Sequence, residues 1–481
     1  MACMRKVCIS GFYAELSPAV SPAFPSKKSG FTIALIAAFV LGAVFPAPTP
    51  LFAQEALLAS VDSNGAVDPN APIAPEQSID LANTDLNPPL PVSNTDPSPQ
   101  SAPATVVDSG IPRRFHYAIH LSLRGVYDDN INLLETNPIS DYYLSIEPGV
   151  TLGFGDTEGR TENFLKLDYL PAIFLFADHT ENNSINHLFR LDGQYRVNRL
   201  TLTLTQLVQI MDGVDLQGTN AEGGLNQQVN LDVAGRTEYD VFTTHFNAAY
   251  YVTGKTFLSA GGDFTVNDYQ SLISSHVVSG NFFVNYDFSP KLVIGLGGVV
   301  GFDEVDEPNP DQNFEQVNLR LSYQATGKLT FTATGGVEFR HFEGDLVDTH
   351  VSPVLDLGVQ YQPFDGTRIS LTASNRIQNS AVLLAENYTM TNITLGIQQR
   401  LFQRIYLGFN GGYENSDYFS TVGATGPSRN DDYFFVEPSV AVSVTRYWTL
   451  GAYYLHRENS SSFASFSFHD NQVGIRSTFE F

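Results

Sequence analysis

The sequence is poor in basic residues, with 26 Lys and Arg against 51 Asp and Glu among 481 residues and a formal net charge of -25. Nucleic-acid binding needs a basic surface that displaces counterions from phosphates. The chain also lacks the repeated apolar runs of about 20 residues that a polytopic helical membrane protein contains. Both classes of protein are therefore excluded.

Cysteine, methionine and tryptophan are scarce as well, with 2, 4 and 1 residues. By contrast, the chain has 22 Tyr, 35 Phe and 38 Gly. Aromatic side chains favour β-strands. The composition therefore predicts a β-rich protein.

A single apolar run of 15 residues, 31–45, follows four basic residues near the amino terminus. This length is typical of a secretory signal and is shorter than a membrane-spanning helix. We predict a signal peptide over residues 1–53, with cleavage after Ala53; an uncleaved anchor helix is the alternative. Since Cys3 and Cys8 precede this cut, we expect neither a disulfide nor a cysteine metal site in the mature chain.

Residues 54–112 contain ten prolines, eight acidic residues and no Lys or Arg. Such a segment buries too little apolar surface to offset the entropy of the unfolded chain. We predict a disordered acidic linker in the periplasm. A partner-binding motif within this linker is the alternative.

From residue 113 to 481 the sequence alternates with a period of two, which is typical of strands. Apolar Phe115, Tyr117 and Ile119 alternate with His116 and Ala118. The segments are about 13 to 16 residues long, enough for tilted strands to cross a bilayer. The pattern predicts an all-β fold, a transmembrane antiparallel up-and-down β-barrel, in the outer membrane of a Gram-negative cell.

The connections predict eighteen strands, because short turns alternate with longer polar loops. The predicted turns are 156–162, 197–199, 253–255, 289–291, 326–328, 364–366, 402–404 and 445–447. The predicted external loops are 128–139, 178–182, 212–237, 269–274, 304–312, 343–348, 380–386, 416–431 and 460–467. Residues 227–237 also alternate, and we interpret them as a strand extension within a loop that could fold inward as a constriction.

The last predicted strand ends in an apolar row, Val473, Ile475, Phe479 and Phe481, at an aromatic carboxyl terminus. This row resembles the carboxy-terminal assembly signal of Gram-negative outer-membrane proteins. The resemblance implies that the barrel assembly machinery recognises Phe479 and Phe481.

Three short motifs resemble the outer-membrane β-barrel porin 2 family. They are Val-Tyr-Asp-Asp-Asn-Ile at 126–131, Ile-Glu-Pro-Gly-Val at 146–150 and Lys-Leu-Asp-Tyr at 166–169. The resemblance covers roughly residues 115–481. It implies an outer-membrane barrel associated with exopolysaccharide export or diffusion, without catalytic residues to transfer. The acidic linker departs from this family and leaves its partner open.

Charged residues on the polar rows are candidates for lining the lumen, since a barrel of eighteen strands is wide enough to hold water. The candidates are Arg124, Lys166, Arg190, Arg196, Arg320, Arg340, Arg368, Arg376, Arg400, Glu147, Asp192, Glu338, Asp356 and Glu437. One interpretation is a field that selects anionic or polar solutes, acidic saccharides among them. The other is that the arginines pair with lumen carboxylates and brace the wall.

The sequence contains no nucleophile elbow, phosphate loop or zinc-protease motif, and we expect neither an enzyme nor a cofactor. Acidic loops such as 303–308 and 128–130 have oxygen ligands suited to calcium. Since they lack the spacing of a known calcium loop, we expect solvated charge and no metal site.

These observations favour a porin-like channel for polar solutes, saccharides among them. The alternatives are a dedicated exopolysaccharide-export barrel with periplasmic partners, and a structural or adhesive barrel without transport. The expected surroundings are outer-membrane lipid and lipopolysaccharide. The sequence leaves the oligomeric state open.

Overall fold

A computed structural model describes residues 115–481 except 156, 158–162, 212–217, 220–224, 227–230, 234–236, 345–348 and 424–427. The predicted signal peptide and the predicted linker lie outside the described residues. Within the described part, no helix is long and apolar enough to cross a membrane.

Eighteen long strands, which we number in chain order, make up the sheet. They are β1 Phe115–Asp128, β2 Asp141–Gly155, β3 Phe164–Phe176, β4 Ser184–Val197, β5 Leu200–Met211, β6 Tyr239–Tyr251, β7 Thr256–Tyr269, β8 Ser275–Ser289, β9 Leu292–Val305, β10 Gln312–Thr326, β11 Leu329–Phe342, β12 His350–Tyr361, β13 Thr367–Asn379, β14 Glu386–Leu401, β15 Ile405–Ser420, β16 Asn430–Thr445, β17 Trp448–Ser461 and β18 Phe468–Glu480. Two short 3-10 turns, Thr180–Asn182 and Ala464–Phe466, lie in loops.

The sheet closes on itself because the last strand pairs with the first. Each strand is antiparallel to its chain neighbours, and β1 pairs with β18 from His120 opposite Glu480 to Asp128 opposite Gln472. The carboxyl terminus extends this seam, since the Phe481 amide donates to the Ile119 carbonyl at 2.8 Å. The predicted eighteen-stranded antiparallel barrel is confirmed.

The two rows of each strand differ in exposure, as β1 illustrates. Tyr117 and Ile119 are 67% and 47% exposed, whereas Arg124 and Asp128 on the alternate row are fully buried. The same order of an exposed apolar row and a buried polar row runs through the other strands. An apolar exterior suits lipid, and a polar interior can hold water.

The connections alternate between the two ends of the barrel, and those at one end are mostly shorter. Eight of them occupy 156–163, 198–199, 252–255, 290–291, 327–328, 362–366, 402–404 and 446–447; all but 156–163 have five residues or fewer, and we call their side of the barrel the turn end. The other nine have five residues or more and occupy 129–140, 177–183, 212–238, 270–274, 306–311, 343–349, 380–385, 421–429 and 462–467, at the loop end. Each predicted turn and loop overlaps an observed one.

Two loop predictions need correction. The loop predicted at 416–431 is shorter, because β15 continues to Ser420 with Ser416 and Tyr418 still buried on the inward row. The described part of the predicted strand extension, Leu231–Val233, forms bends. In the same loop, Gly218–Thr219 pairs with Leu225–Asn226 as a two-residue ladder.

Candidate functional site

The inward row carries the charged residues that the sequence singles out. Strand alternation places all fourteen candidates on this row, opposite the exposed apolar row. Arg124, Glu437, Glu338, Arg320 and Arg340 are at most 4% exposed. Arg400 on β14, by contrast, is exposed near the turn end.

Most of these charged residues form an ion pair with a residue on the same strand or on an adjacent strand. Arg124 Nη2 lies 2.6 Å from Glu147 Oε1, and Arg190 Nε lies 2.8 Å from Asp192 Oδ2. Further pairs join Lys166 to Asp168 at 2.9 Å, Arg340 to Glu338 at 2.7 Å and Arg376 to Asp356 at 3.4 Å. This pairing favours the interpretation in which the arginines brace the wall.

Arg320 is held differently, over an aromatic ring. Its guanidinium carbon lies 3.2 Å from the centroid of Phe283, which is fully buried on the inward row of β8. A cation over a ring face is attracted by the negative charge of that face. Arg320 is therefore anchored to a strand two positions from its own in the wall.

The central feature of the loop end is Leu231–Val233, which we call the crossing segment. All three of its residues are buried. The Asp232 carboxylate accepts hydrogen bonds from Ser380 Oγ at 2.7 Å, from the Ala381 amide and from Tyr418 Oη at 3.1 Å. Its burial raises the pKa of Asp232, although these hydrogen bonds oppose the rise.

Arg429 holds the backbone of the crossing segment. Its guanidinium donates to the carbonyls of Leu231 and Asp232, pairs with Asp431, and lies 4.6 Å from the ring centroid of Tyr418. Arg429 and Asp431 are fully buried. We call Ser380, Ala381, Tyr418, Arg429 and Asp431 the rim seat.

The crossing segment and the rim seat come from distant parts of the barrel. The segment belongs to the loop between β5 and β6, whereas the seat lies on the β13–β14 loop and on β15, β16 and their connection. Strands seven to nine positions apart in a closed ring of eighteen stand on opposite walls. The loop therefore reaches across the mouth of the barrel at its loop end.

An apolar cluster fills the space beside the crossing segment. Leu231 belongs to it, together with Ile131 and Leu133 of the β1–β2 loop. The remaining members point inward from the wall and are Val126, Tyr143, Ala172, Phe174, Phe176, Tyr433, Phe435, Tyr453, Leu455 and Phe468. Packed side chains, and not water, therefore occupy this sector of the loop end.

A buried polar network occupies another sector of the same end. Gln312 Nε2 donates to Asn379 Oδ1 at 2.7 Å, and Asn379 Nδ2 donates to Asp303 Oδ2 at 2.7 Å. Arg340 Nη1 and Asn387 Nδ2 both donate to Gln312 Oε1, at 3.0 and 2.7 Å. These residues lie on β9, β10, β11, β13 and β14, so side chains bridge the interior between non-adjacent strands.

Some inward side chains at the turn end are accessible. Ala118, Gln360, Arg400 and Thr445, all on the inward row near the turns, are exposed. In another part of the turn end, Ala249, Phe257 and Val293 form a buried apolar cluster. Inward residues near the loops, such as Asp431, are fully buried. The interior is therefore packed at the loop end and unevenly packed at the turn end.

No local sequence pattern marks the residues of the crossing segment and the rim seat. The alternation around 227–237 suggests a strand, whereas its described part, Leu231–Val233, places Asp232 against the far wall. Arg429 is the last residue of the β15–β16 connection and shows no pattern of its own. Their association depends on barrel closure, which brings residues nearly 200 positions apart into contact, as between Leu231 and Arg429.

The carboxy-terminal part of the chain, residues 304–481, matches the family model described as "Putative beta-barrel porin 2". The resemblance predicted from the sequence is therefore confirmed over that segment. The motifs at 126–131, 146–150 and 166–169 lie outside the matched residues. A comparison with curated proteins found no match.

Solved structures with a similar course of the chain include the following three. The outer membrane protein opdK of Pseudomonas aeruginosa is 13% identical, with 76% of this chain and 99% of that chain covered and a TM-score of 0.40. OccAB3 of Acinetobacter baumannii is 11% identical, with 76% and 99% covered and a TM-score of 0.40. OccK2 (OpdF) of Pseudomonas aeruginosa, solved with glucuronate, is also 11% identical, with 76% and 98% covered and a TM-score of 0.40.

Proposed function

We propose that this porin-like outer-membrane barrel is a passive channel for small polar solutes, and that the crossing segment forms its narrowest part. The observation that carries the proposal is the anchoring of Asp232 to Ser380 Oγ at 2.7 Å and to Tyr418 Oη at 3.1 Å on the far wall. A segment anchored to the wall opposite its own strands limits the size of what passes. The polar inward row supplies hydrogen-bonding partners along the remaining path.

The pairing of inward charges supports weak ion selectivity. Opposite charges 2.6 to 3.4 Å apart, as in Arg124–Glu147 and Arg376–Asp356, largely cancel each other at the distance of a passing ion. A strong selectivity filter instead presents unpaired charges of one sign. Uncharged polar solutes, small saccharides among them, fit this interior best.

The crossing segment also favours small solutes over a polymer. A polysaccharide chain in transit must occupy the full length of the barrel for many sugar units. The apolar cluster and the seat of Asp232 at the loop end leave little space for such a chain. We therefore place diffusion of small solutes ahead of exopolysaccharide export.

The predicted periplasmic linker and the predicted assembly signal complete the proposal. β1 begins at the turn end, so a linker preceding Phe115 enters the barrel on the side of the short turns. Short turns face the periplasm in bacterial outer-membrane barrels. Phe481 is 72% exposed at the same end, where an assembly factor can reach it.

Liposome swelling tests the proposal. The full chain, purified from outer membranes in its folded state, is reconstituted with uncharged sugars of one to four units. We expect rapid swelling with monosaccharides and a steep decrease toward the tetrasaccharide. Equal rates for all sugars would contradict a narrow passage, and no swelling from folded protein would indicate a barrel without transport.

A variant pair locates the narrowest part. Asp232→Ala removes the anchor of the crossing segment, and we expect the larger sugars to enter faster. Glu307→Gln changes an exposed acidic residue of the β9–β10 loop and serves as the matched control. An unchanged size limit in Asp232→Ala would place the narrowest part elsewhere.

A further inference from the structure

A basic residue recurs at one position of the connections at the turn end. Five of these eight connections end in Lys or Arg, at the residue just before the next strand. The carbonyl of each accepts a hydrogen bond from an amide at the end of the adjacent strand, as from Asp287 to Lys255 at 2.7 Å and from Gln324 to Lys291 at 2.8 Å. The same register therefore places all five at the rim of the barrel. We call them the basic arc: Arg199, Lys255, Lys291, Lys328 and Arg404.

Strand alternation places the basic arc on the row that faces the interior. Lys291, for example, shares its row with Val293, which is buried inside the barrel. All five residues of the arc are exposed. Lys328 Nζ donates to the Pro363 carbonyl of the next turn at 3.0 Å, but among the described residues no carboxylate forms an ion pair with the arc. The arc therefore presents uncompensated positive charge at the mouth of the turn end.

The charge of the basic arc contrasts with that of the whole chain, whose formal net charge is -25. Four lysines follow residue 53, and three of them belong to the arc. The acids that the structure describes near the same turns are Asp287, Asp365 and Glu480. With the exposed Arg400 and Arg446, the arc makes this end positive. A surface of this kind attracts a partner that carries several negative charges.

The chain itself supplies such a partner at this end. The last part of the predicted linker, residues 75–112, contains five acidic residues and no Lys or Arg. It precedes β1, which begins with Phe115 at the turn end. We propose that residues 75–112 bind to the basic arc and thereby lie across the mouth of the turn end.

The length of this segment suits the proposal. Tilted strands about 4.8 Å apart, eighteen in number, enclose a mouth roughly 35 Å across. An extended proline-rich chain rises about 3.1 Å per residue, so the 38 residues of the segment are long enough to reach the arc on the far side. A single exposed ion pair is weak, but the tether raises the effective concentration of the segment at the mouth to the millimolar range. Several weak pairs can therefore hold it there.

Anionic phospholipid is the other polyanion near these turns. Basic residues that contact lipid headgroups extend from the lipid-facing row or from its ends. The basic arc continues the inward row instead, as Lys291 does beside Val293. This position favours the acidic segment over lipid, and the interaction does not depend on which solute passes.

The mobility of a spin label in the full chain tests the interaction. The label is attached to Ser98→Cys, two residues after Asp96, in folded protein reconstituted in neutral phospholipid. We expect an immobilised signal at 0.01 M salt and a mobile signal at 1 M salt, because the Debye length falls from about 30 Å to about 3 Å. A label that is fully mobile at low salt would overturn the proposal.

A neutralised arc separates binding at the arc from binding elsewhere. The combined change Lys255→Gln, Lys291→Gln and Lys328→Gln should lower the ratio of immobilised to mobile label about tenfold at low salt, as expected for the loss of three exposed ion pairs. Arg446→Gln, an exposed turn residue outside the arc, is the matched control and should leave this ratio unchanged. An unchanged ratio in the triple variant, shown to be folded by its heat-modifiable migration, would overturn the assignment. Release of the wild-type label by anionic phospholipid would identify lipid as the occupant and would overturn it as well.

Discussion

The loop end and the turn end of this barrel are built from the same alternating strands but differ in what fills them. At the loop end, the inward residues Asp128, Asp431 and Asp470 are fully buried among other side chains. At the turn end, inward residues such as Gln360 and Arg400 are exposed. Strand alternation thus decides which side chains face inward, whereas the loops decide whether those side chains meet protein or solvent.

Charged residues at the two ends therefore differ: some are buried in ion pairs, and others are exposed to solvent. A buried pair such as Arg429 with Asp431 is costly to break, because either partner alone remains as an uncompensated charge. An exposed charge such as Arg400 is solvated and contributes little to stability. Substitutions at the two ends should therefore have different consequences.

The largest expected effect follows from Arg429→Ala. It removes the donor to the Leu231 and Asp232 carbonyls and leaves the fully buried Asp431 without its partner. We expect a loss of about 3–5 kcal/mol in the local stability of the loop end, measured by hydrogen exchange of its amides. Arg446→Ala, at an exposed turn, is the control and should change stability by less than about 0.5 kcal/mol. Equal protection in both variants would contradict the difference between the ends.

A somewhat smaller effect is expected from Arg124→Met, halfway along the interior. The fully buried Arg124 lies 2.6 Å from Glu147. Loss of the guanidinium isolates that carboxylate and should lower the free energy of unfolding by about 3 kcal/mol in urea titration. Adding Glu147→Gln should recover part of the loss, and a double variant no more stable than Arg124→Met would argue against the pair.

A pH effect of intermediate size is expected at Asp232. Burial raises its pKa when the crossing segment is seated. The seated state therefore binds the proton more tightly than the released state does, so low pH stabilises it. This contribution is fully present below about pH 4, the ordinary range of a carboxyl group, and is lost as the pH rises through the raised pKa. Proteolysis of the β5–β6 loop between pH 4 and pH 8 should accelerate with pH in the wild type and much less in Asp232→Asn; parallel profiles would argue against this assignment.

Arg400→Glu is expected to have the smallest effect on the free energy of unfolding. It should nevertheless change the ion selectivity of the channel measurably. Arg400 lies on the inward row of β14 near the turn end and is exposed. We expect an unchanged unfolding midpoint but a reversal potential shifted toward cations in asymmetric salt. Arg404→Glu, in the adjacent turn, is the control for surface charge. A large loss of stability in Arg400→Glu would show that the surroundings of Arg400 are packed as well.

Much of this fold can be predicted from the sequence, because the period of two acts locally. The eight turns follow from short polar breaks such as Thr253 to Lys255, and the inward position of Arg124 or Glu338 follows from alternation alone. The extent of β15 is harder to predict, since polar Asn415 and Asp417 on its outward row resemble a loop.

The position of the crossing segment cannot be predicted from local sequence patterns. The seat of Asp232 joins Ser380 and Tyr418, residues that only barrel closure brings to one place. The proximity of Asp470 to Asp128 has the same origin, since the last strand pairs with the first. The sequence predicts solvated acids at 128–130 because the partner on β18 is not apparent from the local pattern.

Single-channel conductance tests most directly whether the crossing segment narrows the passage. Wild-type chain and Asp232→Ala are recorded in planar bilayers under the same salt, with Glu307→Gln as the control. We predict discrete steps in all three proteins, with a larger step in Asp232→Ala than in the other two. Equal steps in all three would contradict a passage limited at the crossing segment.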